Sequence, residues 1–160
     1  MKLKIHHNLL LTACVLALVI ACVASVWAPV RFSSEQRKRE TAVKERLVAI
    51  RQAQERYRAK HGIYCPNLTS LVKAGLIADS TTIIPYSDDE RFELGTTTIT
   101  GKSGRSIALM ECGAQYQQYL NGLNENDIAN LIEAANEAGR YPGLKIGDLE
   151  TPNNNAGNWE

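Results

Sequence analysis

Residues that could do chemistry are few in this chain. Of three histidines, His6 and His7 sit in the N-terminal stretch MKLKIHHN, which leaves His61 as the single imidazole further on. Placed before Gly62 at a predicted helix end, it reads more simply as a capping or surface residue than as a base or metal ligand. No H-E-x-x-H or G-x-S-x-G occurs. Gly101-Lys102-Ser103 echoes a phosphate loop, but the motif needs a glycine at position 96, which is Thr96. The triplet also falls between strand-like stretches rather than before a helix, so a hairpin turn accounts for it. Asp88-Asp89-Glu90 is acidic without calcium-loop spacing and reads as a solvated turn. Asp148, Glu150 and Asn153-Asn154-Asn155 offer oxygen ligands, so a calcium ion in the C-terminal loop is the one cofactor to weigh. Asn-rich segments are more often plain turns. The expectation is a non-enzymatic protein with no catalytic, cofactor-binding or metal residues and no evident small-molecule substrate.

The four cysteines fall into two classes. Cys14 and Cys22 lie in an apolar run, where a thiol behaves as a small hydrophobe. Cys65 and Cys112 lie further on and make an even pair. Outside the cytoplasm they would form a disulfide; in the cytosol they would be buried thiols. The bridge is the favoured expectation, and closing so long a loop would contribute about 4 kcal/mol on a chain-entropy argument.

These residues hang from one long element. Leu9 to Ala28 (LLLTACVLALVIACVASVWA) carries no charge. About twenty helical residues at 1.5 Å rise match the hydrocarbon thickness of a bilayer, where a helix satisfies its own backbone. From Ser34 to Lys60 no breaker occurs, so one helix is expected to continue past Pro29, with a kink there. Val43, Leu47, Ile50 and Tyr57 form an apolar stripe at 4-3-7 spacing. Residues 35–60 hold nine basic and four acidic residues, a net of +5, whereas residues 61–160 hold six and thirteen, a net of −7. The basic run, helical and next to the membrane, argues for anionic lipid or acidic neighbours and against nucleic acid. Arg51 and Arg56 are expected to be exposed.

The N-terminal segment has three readings: an uncleaved signal anchor, a cleaved signal, or a lipoprotein acylated at Cys22, since Val19-Ile20-Ala21-Cys22 resembles a lipobox. The anchor is preferred, because the chain stays apolar beyond Cys22 and Val26-Trp27-Ala28 is a poor cleavage site. Counted alone, the positive-inside rule favours a cytosolic head, with Lys2 and Lys4 before the segment and Arg31, Arg37, Lys38 and Arg39 after it.

Beyond the helix, His61-Gly62 ends it, 68–74 reads as a short helix closed by Gly75, and 81–84, 91–100 and 105–112 read as strands. Gln115–Leu123 is ambiguous. Asn124 or Asn126 caps a helix to Ala138, and the Gly-, Pro- and Asn-rich 140–160 is expected to lie irregularly on the surface.

Ala53-Gln54-Glu55-Arg56-Tyr57 followed by His61-Gly62-Ile63-Tyr64, then Leu68, Leu71, Val72 and Gly75-Leu76-Ile77, resembles type IV pilin-like proteins and the pseudopilins of type II secretion. The resemblance covers roughly residues 9–77. The ending, Tyr141 to Lys145 through Asn153 to Glu160, is similar to that of a group of single-span bacterial proteins of this kind. The apolar run lacks the Gly- or Ala-aromatic junction and the following glutamate of pilin precursors, so the residues support "pilin-like" without a prepilin peptidase site. The resemblance implies an inner-membrane protein with its head in the periplasm, working with other envelope proteins or copies of itself. It implies an α+β fold: a transmembrane helix continuing into a long helix packed on a small antiparallel sheet, with a second short C-terminal helix. The expected parts are a cytoplasmic tail (1–8), a signal anchor (9–30), a helical stalk (31–60) and a head (61–160).

Overall fold

In a computed structural model, residues 2–101 and 104–160 are described, with side chains over 9–23, 29–101 and 104–160. The architecture is α+β, and the chain divides into two compact units, Met1–Gln36 and Arg37–Glu160. Helix α1 (Lys2–His61) contains Pro29 without interruption of the helical assignment. The expected span is therefore helical, though the side chains of 24–28 lie outside the described residues. Among the described residues no helix is long and apolar enough to cross a membrane. Over 9–23 the apolar side chains are open: Leu9, Leu16 and Ile20 are each more than half exposed.

The second unit begins inside the expected stalk, so α1 from Arg37 onward belongs with the head. Its elements after α1 are α2 (Leu68–Lys73), β1 (Glu93–Thr100), β2 (Ser106–Gln115), α3 (Tyr116–Tyr119), α4 (Glu125–Glu137) and β3 (Gly143–Gly147). The strands form one antiparallel sheet in the order β1-β2-β3. Alternation decides its faces: Met110, Cys112 and Ala114 of β2 are fully buried, and register sets Leu144 opposite Ala114 and Ile146 opposite Cys112. With Val43, Leu47 and Ile50 of α1, Leu71, Ile84, Tyr119 and Leu120, these residues make the core.

Asparagines cap two of the helices. Asn67 Oδ1 accepts from Ser70 N at 2.8 Å, and Asn124 Oδ1 accepts from Asn126 N and Asp127 N, so α4 starts where its asparagine places it. Two expectations need correction. The stretch 81–84 is not a strand; Asp79–Thr82 is a 3₁₀ turn, and only Ile83 bridges Arg91. Residues 140–160 are not merely surface-laid, because they supply β3, and Gly157 bridges Ile146 on its outer edge. Gly147 makes that edge turn possible: at φ 74° a Cβ would meet Met110 O at 2.0 Å. The hairpin residues Lys102 and Ser103 lie outside the described residues.

Candidate functional site

Within the second unit, α1 carries two rows of residues four apart: Arg39, Val43, Leu47, Arg51 and Arg46, Ile50, Gln54, Arg58. Residues at this spacing stack on one helix face, so apolar or amide groups fill each middle and an arginine stands at each end. Three of those arginines reach loop carbonyls. Arg39 Nη1 donates to Tyr119 O at 3.2 Å and Asn121 O at 2.8 Å, and Arg46 Nη1 donates to Ser80 O at 2.9 Å and to Ile83 O. Arg51 Nη1 donates to Asn155 O at 3.1 Å and to Glu160 Oε1 at 2.9 Å. Carbonyls left by irregular loops need donors, and a guanidinium supplies several from one planar head. This corrects the sequence reading of Arg51: it is three-quarters covered and ties the C-terminal segment down. Arg56, by contrast, is exposed.

The inner stripe also differs from the expected one. Val43, Leu47 and Ile50 are fully buried, but Tyr57 is only half-buried and stacks on His61 with ring centroids 4.2 Å apart. The row continues through Gln54 instead, which is fully buried. Gln54 Nε2 donates to Cys65 O at 3.0 Å, and Cys65 N donates to Gln54 Oε1 at 2.8 Å. One side-chain amide thus satisfies both backbone groups of a buried turn residue. Above it lies a second polar cluster. Tyr64 OH donates to Glu55 Oε1 at 2.8 Å and accepts from Arg58 at 2.8 Å and from Asn155 Nδ2 at 2.7 Å; Asn155 Nδ2 also reaches Glu55. Burial, more than these bonds, raises the Tyr64 phenol above its ordinary value.

Cys65 and Cys112 are both buried but unbridged. The Cys65 thiol turns to its own loop, donating to Asn67 O at 3.2 Å. Cys112 sits mid-sheet, and burial pushes its thiol up to about 12. Cys22, the lipobox candidate, is exposed on α1. The C-terminal oxygens are occupied by local turns: Asp148 Oδ1 accepts from Glu150 N and Thr151 N at 2.8 Å each, and Asn153 Oδ1 accepts from Asn155 N at 3.0 Å. These amides hold the Asp148 carboxyl below its ordinary value. Among the described residues no cluster of histidine, cysteine and carboxylate ligands suited to a metal occurs.

The concave feature with most chemical character lies elsewhere. A groove of about 510 Å³ runs between Glu40 and Lys44 of α1, Leu131, Ala134 and Ala135 of α4, and the segment from Gly139 to Lys145, with Trp159 at one side. Trp159 is held there by its own chain: Asn158 N donates to Lys145 O, Lys145 N donates to Asn158 Oδ1 and Asn158 Nδ2 donates to Gly143 O. The Lys44 ammonium lies 5.7 Å from the Trp159 ring and the Lys145 ammonium 5.7 Å from the Tyr141 ring. Burial first, then Glu93 and Glu111, push Tyr141 up to about 12; burial and Glu40 raise Tyr116. Sequence reasoning missed this groove. Its only linear trace is an aromatic and a lysine recurring in the tail (Tyr141, Lys145, Trp159), read there as turn-rich surface.

No family model, curated protein or solved structure matches this chain.

Proposed function

We propose that this protein is a non-enzymatic, pilin-like structural component of a bacterial envelope assembly, secretion-related in kind, anchored by residues 9–30 with its head in the periplasm. The observation that carries the reading is the use of α1. Its residues 9–23 offer an uncharged surface that water disfavours, and its later turns supply the buried spine of an α+β unit. A bilayer would cover the first and folding covers the second. Two measurements test this. The full chain should stay with membranes through an alkaline wash, and a reporter fused after Glu160 should be active in the periplasm. Recovery in the soluble fraction, or a reporter active only in the cytosol, overturns it.

A second reading, an anchored binding or adaptor module, is favoured by the groove beside Trp159.

A further inference from the structure

We propose that the groove between α1, α4 and Trp159 binds a short acidic peptide segment of a partner protein, with a carboxylate on Arg140 and an apolar side chain against Leu131 and Trp159. This deepens the adaptor reading and depends on no particular mode of anchoring.

Charge supports it first. Residues 61–160 carry a net of −7, yet the groove is lined by Lys44, Arg140 and Lys145 against Glu40 alone. Two of these cations are already engaged: Lys44 lies 3.7 Å from Glu40, and Lys145 lies 2.7 Å from Glu111. Arg140 is exposed and has no ion pair among the described residues, so its planar fork is open to a carboxylate. The Arg140 guanidinium, set in an acidic head, also attracts an acidic ligand to this place.

Shape and polarity support it second. The α4 side of the groove is apolar, lined by Leu131, Ala134 and Ala135, and Trp159 and Tyr141 present ring surface. That combination suits a side chain such as leucine or phenylalanine next to an acid. A glycan is less suited, because sugar hydroxyls need free amides and carboxylates around the ring. The one side-chain amide here, Asn158, is consumed on both ends by Lys145 N and Gly143 O.

The test uses the full chain in detergent micelles with Trp27→Phe, which leaves Trp159 as the sole tryptophan. The probes are acetyl-Ala-Asp-Leu-Glu-Phe-amide and its counterpart with Asn and Gln in place of the acids. The acidic peptide should shift Trp159 emission saturably, and the neutral one should bind at least about tenfold more weakly. Arg140→Glu, at an exposed position, should weaken the acidic peptide by about tenfold or more, as should raising salt to about 0.5 M. Ala134→Phe, which fills the groove from the exposed side of α4, should abolish the response. Equal response to both peptides, or an unchanged affinity in Arg140→Glu, overturns the proposal. Emission that shifts with protein concentration and not with peptide also overturns it, assigning the groove to a second copy instead. Because the readout is binding in micelles, its failure is separate from failure of the membrane and periplasm tests.

Discussion

Replacing Gln54 isolates the polar half of the α1 spine. Both backbone groups of Cys65 end on this amide, at 3.0 Å and 2.8 Å, and all partners are buried. Gln54→Leu keeps the volume but strands one N–H and one C=O, each costing about 1–3 kcal/mol. Burial of the leucine side chain offsets part of this, by about 1.5–3 kcal/mol. At the middle of both ranges the net expectation is a loss of about 2 kcal/mol. Gln54→Glu sharpens the argument. When protonated, the acid has the shape to accept from Cys65 N and donate to Cys65 O, so little should be lost. When ionised, it faces the Cys65 carbonyl with a buried charge, and stability should fall. The sign follows from linkage: burial raises the folded pKa of such an acid, so the folded state keeps its proton longer, and stability is lost as pH rises through that interval. Urea unfolding of the full chain in micelles, followed by Trp159 emission with Trp27→Phe, reads both variants at about pH 4.5 and 7.5. A Gln54→Leu variant within about 0.5 kcal/mol of the parent, or a Gln54→Glu variant with the parent's pH dependence, would refute the reasoning.

Leu47→Ala and Ile50→Ala, both at fully buried positions, should each cost about 2–5 kcal/mol in the same assay, and unchanged unfolding in both would remove α1 from the core. Arg51→Glu should destabilise, since it frees Asn155 O and opposes Glu160, whereas Arg56→Glu should leave unfolding within about 0.5 kcal/mol; comparing their midpoints checks it. Cys112, neutral in the fold up to about 12 against an ordinary 9.0, keeps its proton where the unfolded chain has lost it. Its stabilisation is complete below pH 9 and falls by on the order of 4 kcal/mol by pH 12. Cys112→Ala should flatten that alkaline slope, and an unaltered slope would count against its burial.

Much of the fold was legible because local chemistry and tertiary structure agree. Val43, Leu47 and Ile50 repeat at helical spacing, Asn124 is a strong cap, and the strand-like stretches 91–100 and 105–112 flank a glycine-containing turn. Three things were not legible, each for a physical reason. Gln54 continues the buried row, but a polar residue enters a core only when a distant partner meets it, and Cys65 lies outside the helix. Tyr57 carried the apolar signal one turn too far, because the core has narrowed to small Ala53 and the amide by that point. β3 and the groove depend on Gly147 and Gly157 setting the tail against Ile146, and glycines in an Asn-rich stretch announce only a turn.

The arginine rows bear on how the charge of the molecule is to be read. The +5 of residues 35–60 suggested a basic surface offered to lipid or to neighbouring heads. Yet Arg39, Arg46 and Arg51 spend their donors on loop carbonyls, Arg58 on Tyr64, and Lys44 lies beside Glu40 and Trp159. These residues are placed at the borders of the buried stripe, where a long side chain covers apolar surface with its stem while its charged end reaches a carbonyl. Their placement along two i,i+4 rows serves folding of the head, so the field they project outward is already partly spent. The charge left to act on a partner sits on exposed cations such as Arg37, Arg56 and Lys60 of α1 and Lys73, Arg105 and Arg140 beyond it. Any electrostatic association of this protein is therefore expected to answer to those residues, with the stripe's own arginines registering instead as stability.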